Sequence, residues 1–144
     1  MDNRFLSVSL TLKIRKDRAD RIVQKVARKS VHAEEALEIF RNGGAIPCLR
    51  FILRRDYLIE TTYGEDWITA DSEVYPIYED PWPGLEFIEF MKSISPAIMA
   101  GGLVDFLMLG HTVLTLHFTG GIVGMWTPRE PVTHWDSTYL TEVF

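Results

Sequence analysis

Alternating apolar and polar residues mark the beginning of the chain as a β-strand. The apolar residues occupy every second position, at Leu6, Val8, Leu10, Leu12 and Ile14. A period of two places one face of a strand in the core and leaves the other for solvent or a partner. The pattern therefore predicts a strand over residues 5–15.

Helical spacing replaces this alternation after Asp17. Apolar residues now recur every three or four positions, at Ala19, Ile22, Val23, Val26, Ala27, Ala33, Ala36, Leu37 and Phe40. Such spacing is typical of amphipathic helices, and Gly43-Gly44 is a favourable helix end. We predict a helix over 17–29 and its continuation to residue 42, as two short helices or one bent helix.

The middle of the chain predicts further strands and two more helices. Alternation over residues 47–54 predicts a strand, and residues 57–63 form the next strand after a turn at Arg55-Asp56. One or two short edge strands are expected between residues 64 and 84. Helical spacing over 85–95 predicts a helix. Pro96 begins another over 96–109, since proline suits the first helical position, and this nearly all-apolar helix is expected to be buried.

A β-hairpin is predicted in the last third of the chain. Residues 111–119 and 122–127 flank Gly120-Gly121, and two glycines readily supply the positive φ angles of a two-residue turn. This loop length sets Phe118 opposite Val123 and Leu116 opposite Met125. Residues 138–144 are predicted to form a last short edge strand.

The order of these elements predicts an α+β fold. We expect an antiparallel sheet of about five strands with helices packed on one face, in a split βαβ arrangement with an added C-terminal hairpin. The length of 144 residues fits a single domain over 1–144. The opposite sheet face, or the loop over 64–84, is where we expect function to reside.

The composition of the chain indicates the cellular compartment in which we expect the protein. The single cysteine, Cys48, excludes an intramolecular disulfide and fits a reducing compartment. The first residues lack a basic segment followed by an apolar one, so no signal peptide is expected. The longest apolar stretch, residues 94–110, is too short and too broken to span a bilayer. We therefore expect a cytoplasmic protein that does not enter a membrane.

Acidic and aromatic residues are concentrated in residues 56–91, which we name the acidic–aromatic segment. It contains ten acidic residues and no Lys or Arg, whereas residues 1–55 contain 13 basic and 6 acidic residues. Its rings are those of Tyr57, Tyr63, Trp67, Tyr75, Tyr78, Trp82, Phe87 and Phe90. Tyrosine and tryptophan are frequent binding hot spots, and surrounding carboxylates attract a basic partner. Two structural alternatives stay open: rings in the core, and carboxylates neutralised by the protein's own basic residues.

Catalytic and metal-binding patterns are weak by comparison. No glycine-rich phosphate loop and no G-x-S-x-G motif occur in the sequence. His111 and His117 share a strand face but lie roughly 20 Å apart along an extended chain, too far to bind one ion. Cys48 follows Pro47 in a strand pattern and is interpreted as a core thiol. No cofactor and no metal site are predicted.

The favoured function is a small non-enzymatic interaction domain that binds and neutralises a basic protein. The predicted partner-binding residues are Glu65, Asp66, Trp67, Asp71, Glu73, Tyr75, Tyr78, Glu79, Asp80 and Trp82. In size, charge and overall plan the chain resembles bacterial immunity proteins that inhibit nuclease toxins. The resemblance implies a nuclease toxin as partner, because a nuclease must itself bind phosphates. It assigns a role to no particular residue.

Two other functions remain open. A small-ligand protein or enzyme would have a pocket between the helix over 96–109 and the sheet, lined by Asp105, His117, Trp126 and Tyr63. A nucleic-acid-binding protein would use the outer face of the first helix, with its cations at Arg18, Arg21, Lys25, Arg28 and Lys29. The net charge of −5 and the interruption of that face by Asp20 make nucleic acid the less favoured partner.

Overall fold

Six antiparallel strands form one sheet in the computed structural model, which describes residues 6–74 and 82–133. The elements in chain order are β1 (Leu6–Lys13), α1 (Lys16–Lys29), α2 (Ala33–Gly43), α3 (Ala45–Tyr57), β2 (Thr62–Tyr63), β3 (Trp67–Val74), α4 (Gly84–Ile94), β4 (Leu103–Met108), β5 (His111–Phe118) and β6 (Val123–Trp126). A single 3₁₀ turn, Ser95–Ala97, follows α4. The α+β class is confirmed.

The strand order is β2-β3-β1-β4-β5-β6. Because β3 is antiparallel to both β1 and β2, those two strands run parallel with β3 between them. This is the predicted split βαβ arrangement, and the hairpin β5–β6 is the predicted C-terminal addition. The first strand of the chain therefore lies in the interior of the sheet.

One face of the sheet supports the hydrophobic core. The alternate residues of β1, Leu6 to Leu12, are buried as predicted, and the register aligns them with Ile68, Val104 and Leu116 on other strands. All four helices contribute buried residues to the same core. Burial of this apolar face is the main stabilising contribution to the fold, at roughly 25 cal/mol per Å².

The predicted hairpin is confirmed residue by residue. Phe118 pairs with Val123, Leu116 with Met125 and Thr115 with Trp126. Gly120 and Gly121 have φ angles of 72° and 103°, the left-handed values that only glycine adopts without strain. The turn chemistry thus fixes the register, and the register fixes which side chains face the core.

The predicted N-terminal helical region is two helices, α1 and α2, and the predicted helix over 85–95 is α4. The chain turns between α1 and α2 at Ser30–His32, where the Ser30 hydroxyl accepts a hydrogen bond from the His32 backbone N–H at 3.1 Å. Gly44, with a φ of 90°, separates α2 from α3.

The prediction of a strand over residues 47–54 is wrong, because these residues form most of α3. Leu49, Phe51 and Leu53 alternate in the sequence, but the buried residues of α3 are Ala45, Cys48, Leu49, Ile52, Leu53 and Tyr57, which have helical spacing. Pro47 lies in the first turn of this helix, where its missing N–H breaks no hydrogen bond. The predicted turn at Arg55-Asp56 is likewise helical, and the next strand is confined to Thr62–Tyr63.

The prediction of a buried helix over residues 96–109 is also wrong. The 3₁₀ turn ends at Ala97, and Gly101, with a φ of 98°, redirects the chain into strand β4. In this strand Val104 and Phe106 face the core, and Asp105 between them faces away. The residues 67–74 do form a strand, but β3 lies between β2 and β1 instead of at the sheet edge.

The predicted edge strand over 138–144 lies outside the described residues. Within residues 6–74 and 82–133, no helix has the length and apolar character that crossing a bilayer requires.

Candidate functional site

The sheet face turned away from the helices, which we name the open face, carries the polar residues of β1. Ser7, Ser9, Thr11 and Lys13 alternate with the buried residues of that strand and are half-buried or exposed. The register places Asp71 and Glu73 of β3 beside them on one side and residues of β4 on the other. The open face therefore brings together segments that are far apart in the sequence.

One row of side chains crosses the open face from β3 to β6. It runs from Asp71 through Ser9, Asp105 and Thr115 to Trp126, each paired with the next. Two strand spacings separate Asp71 from Asp105, roughly 10 Å. The Thr115 hydroxyl donates a 2.6 Å hydrogen bond to Asp105 Oδ1, which holds that carboxylate in place. The row carries two carboxylates and ends in an indole.

Apolar and aromatic side chains lie next to this row on β4, β5 and β6. Leu103 is 36% exposed and pairs with His117. The ring centroids of His117 and Trp126 are 6.1 Å apart, with an interplanar angle of 72°. Trp126 itself is 43% exposed, and Leu107 on the same face is half-buried. Protein interfaces commonly combine an apolar, aromatic centre with a polar rim, and the open face has this composition.

Glu65 and Asp66 lie in the turn before β3 and contact the protein's own lysines. Lys16 Nζ donates a 2.8 Å hydrogen bond to Glu65 Oε1, which lowers the pKa of Glu65, and Lys13 Nζ lies 3.9 Å from Asp66 Oδ2. These pairs are exposed and contribute little to stability. The carboxylates are thus partly neutralised within the chain, one of the alternatives that the charge pattern left open.

Trp67 begins β3 on the open face and is 40% exposed. Its indole lies against Gly64, since a Cβ at that position would overlap the ring. Asp71 and Glu73 follow on the same face, and both are exposed. For these three residues the expectation of an exposed acidic and aromatic surface is met.

Trp82 is a core residue, so the expectation that its ring is exposed to a partner is wrong. Its side chain is 6% exposed and packs against Phe87 and Phe106, with ring centroids 5.2 Å and 6.2 Å away. The indole N–H donates a 2.6 Å hydrogen bond to the carbonyl of Tyr57, the last residue of α3. Tyr57 is also buried, and desolvation, with Asp56 and Glu86 nearby, raises its pKa to about 12.

Four predicted partner-binding residues, Tyr75, Tyr78, Glu79 and Asp80, lie outside the described residues. The described part of the acidic–aromatic segment is therefore divided between two environments. Trp67, Asp71 and Glu73 lie on the open face, whereas Tyr57, Trp82, Phe87 and Phe90 lie in the core. Most of the described aromatic residues of this segment therefore pack in the hydrophobic core.

The alternative pocket between a helix over 96–109 and the sheet does not exist at that place, because residues 103–108 are a strand. Asp105, His117 and Trp126 share the open face, as described above. Tyr63 lies on the opposite face, where it pairs with the buried Ile68 and its ring lies 3.9 Å below the guanidinium of Arg50. The four residues are therefore not brought together around one pocket.

Cys48 is buried and donates from its Sγ to the backbone carbonyl of Ala36 at 3.2 Å. Burial raises the pKa of this thiol to about 11, so it is protonated at neutral pH and a poor nucleophile. In the described residues, no group of three or more His, Cys, Asp or Glu side chains is arranged to hold a metal ion.

Sequence reasoning missed the contribution of β4 to the open face. Leu103, Asp105 and Leu107 alternate with Val104 and Phe106, and that alternation was the available signal. It was overlooked because the surrounding residues are apolar on both sides. Comparison with protein-family models, characterised proteins and solved structures finds no match to this chain.

Proposed function

We propose that this chain is a protein-interaction module that binds a basic protein partner through the open face. The observation that carries the proposal is the row from Asp71 through Asp105 to Trp126 on one face of the sheet, with Glu73 and Leu103 on neighbouring rows of the same face. Partly exposed indoles supply contact area at low entropic cost, and the carboxylates favour association with a positively charged surface.

The geometry changes which residues we assign to binding. Asp71, Glu73 and Trp67 are retained from the sequence, and Asp105 and Trp126 are added because the register places them on the same face. Trp82 is withdrawn. Glu65 and Asp66 lie in the turn before β3, where Lys16 and Lys13 contact them.

Inhibition of a nuclease toxin is the specific form of the function that we favour. A nuclease presents a basic surface to phosphates, and an acidic open face is complementary to such a surface. We also propose the cytoplasm as the site of action, because the single cysteine is a free, buried thiol.

The test is binding of purified basic nuclease-toxin domains to the full chain, beginning with any toxin encoded beside its gene. We expect a complex that dissociates faster as salt is raised and that suppresses nuclease activity. The variant Asp71→Lys with Glu73→Lys should weaken binding at least tenfold while leaving the thermal midpoint nearly unchanged.

The matched control is Glu34→Lys with Glu38→Lys, which makes the same charge change at exposed positions of α2, in the helical layer. If the two double variants weaken the complex equally, only net charge matters and the open face is not the binding site. If neither weakens it, the proposed surface is wrong.

A further inference from the structure

A groove of about 510 Å³ lies in the helical layer, between the C-terminal turns of α1 and α3 and one side of α4. Its apolar lining comes from the exposed Val31, from Pro83, and from the core residues Val26, Ile52, Tyr57 and Phe90, each of which is less than one tenth exposed. This volume is in the range of small-molecule sites, which are typically concave and mostly apolar. The open face lies on the other side of the sheet, so the groove is a separate feature.

Charged side chains of both signs border this groove. Lys29, in the last turn of α1, and Arg55, in the last turn of α3, supply cations, whereas α4 supplies the carboxylates of Glu86 and Glu89. Lys29, Arg55 and Glu86 suit the dipoles of their own helices, because cations lie at helix C-termini and Glu86 lies near an N-terminus. The groove thus has two cations and the Asp56 carboxylate on its α1–α3 side, and the two carboxylates of Glu86 and Glu89 on its α4 side.

Three linked polar side chains shape the end of the groove near the α1–α2 turn. Ser30 Oγ donates a 2.9 Å hydrogen bond to Asp56 Oδ2, and His32 Nδ1 lies 3.3 Å from Asp56 Oδ1. The Asp56 side chain is only 13% exposed, so both partners hold it in a fixed position. A hydrogen bond from His32 Nδ1 to this carboxylate leaves Nε2 as an additional polar group for a ligand.

We propose that the groove binds a small zwitterionic molecule with an apolar or aromatic body. The body lies against Val26, Phe90 and the exposed Val31. Its cationic group faces Glu86 and Glu89, and its anionic group faces Lys29 and Arg55. A ligand with one sign of charge satisfies only one side of the groove and leaves a like-charged side next to it, so charge complementarity favours the zwitterion.

Fluorescence titration of the full chain with three matched probes tests this proposal. Nα-dansyl-lysine has an aromatic body, a carboxylate and an ammonium group. Dansyl-norleucine lacks the ammonium group, and dansylcadaverine lacks the carboxylate. We expect dansyl-lysine to bind with a blue shift in its emission, and each singly charged probe to bind at least fivefold more weakly.

Variants of the groove connect the probes to particular residues. Glu86→Gln with Glu89→Gln should weaken dansyl-lysine at least fivefold and strengthen dansyl-norleucine, because the carboxylates that repel this anionic probe are removed. Lys29→Gln with Arg55→Gln should weaken dansyl-lysine similarly and strengthen dansylcadaverine, because the cations that repel this cationic probe are removed. Ser93→Trp places a large ring at an exposed position of the groove lining and should abolish binding of all three probes.

Arg18→Gln with Glu34→Gln is the control, because both residues are exposed charges that do not line the groove. Circular dichroism establishes that every variant is folded. Three outcomes would overturn the proposal: no probe binds, the three probes bind equally, or Ser93→Trp leaves dansyl-lysine affinity unchanged. Equal effects of the groove variants and the control would overturn the assignment of the charges.

Discussion

Replacing Trp82 with phenylalanine distinguishes a packing role for this ring from a binding role. The indole N–H satisfies the Tyr57 carbonyl at 2.6 Å, one of the last carbonyls of α3, which has no partner within its own helix. Phenylalanine retains an aromatic ring against Phe87 but cannot donate this hydrogen bond. The substitution therefore removes one defined interaction and some volume.

The expected destabilisation is about 2–4 kcal/mol. An unsatisfied buried acceptor costs about 1–3 kcal/mol, and a void of at least methyl size next to Phe106 adds about 1 kcal/mol. For a chain of this length, each kcal/mol lowers the thermal midpoint by about 2–4 °C. The measurement is urea unfolding followed by far-ultraviolet circular dichroism, compared with the wild-type chain.

Trp126→Phe is the matched control, because Trp126 is 43% exposed on the open face and its loss should cost less than about 0.5 kcal/mol. A Trp82→Phe cost as small as that of the control would refute the reasoning. So would fluorescence quenching that finds the Trp82 indole accessible to solvent in the folded protein.

Three further substitutions have defined outcomes. Leu109→Asn should raise the thermal midpoint by stabilising the fold about 1 kcal/mol, because exposed Leu109 has a φ of 52° in a turn that favours asparagine before glycine. Gly64→Ala should destabilise by about 1–3 kcal/mol and shift Trp67 fluorescence, since the added methyl group overlaps the indole. Lys16→Met should return the pKa of Glu65 toward its ordinary value of 4.5, measured by NMR titration of the carboxyl carbon. The lowered pKa implies a small stabilisation that is present above pH 4.5 and lost as pH falls through the folded-state value.

Each of these outcomes has a clear contradiction. A lower midpoint for Leu109→Asn would mean that the leucine side chain makes a stabilising contact. Gly124→Ala is the control for Gly64→Ala, because the nearest atom to its added methyl group would be 3.6 Å away. Equal effects of the two glycine substitutions would argue against overlap with Trp67. An unchanged Glu65 pKa in Lys16→Met would show that the lysine is not its cause.

The sequence correctly predicted the elements that have one clear hydrophobic period and a residue signal that marks where the element ends. Strand β1, helices α1, α2 and α4, and the β5–β6 hairpin each combine one clear period with a suitable end signal. For the hairpin, Gly120-Gly121 fixed the loop length and thereby the pairing of Leu116 with Met125. Local information was sufficient there because the contacts themselves are local.

The predictions were wrong where a short apolar run fits both the two-residue period of a strand and the 3.6-residue period of a helix. Leu49, Phe51 and Leu53 alternate, yet Cys48, Leu49, Ile52 and Leu53 bury at helical spacing. Packing of α3 against neighbouring helices decides between the two, and no single sequence window contains that information. Residues 103–108 show the opposite error, because they were predicted to be helical and form strand β4.

The candidate site was predictable only in part for the same reason. Composition identified Asp71, Glu73 and Trp67, but it also selected Trp82, whose ring fills the core. Neither composition nor periodicity reveals that Ser9 lies between Asp71 and Asp105, because that arrangement arises from strand pairing between distant segments.

The interior position of β1 has a consequence for how the protein is made. This strand is synthesised before its two neighbours, Trp67–Val74 and Leu103–Met108, which leave the ribosome much later. Until β3 and β4 have emerged, the apolar residues of β1 therefore have no strand partners. During that time only the helices that follow β1 can pack against them. Truncation before residue 103 leaves β1 with an unpaired side, so a shortened product should aggregate rather than form a smaller version of the fold.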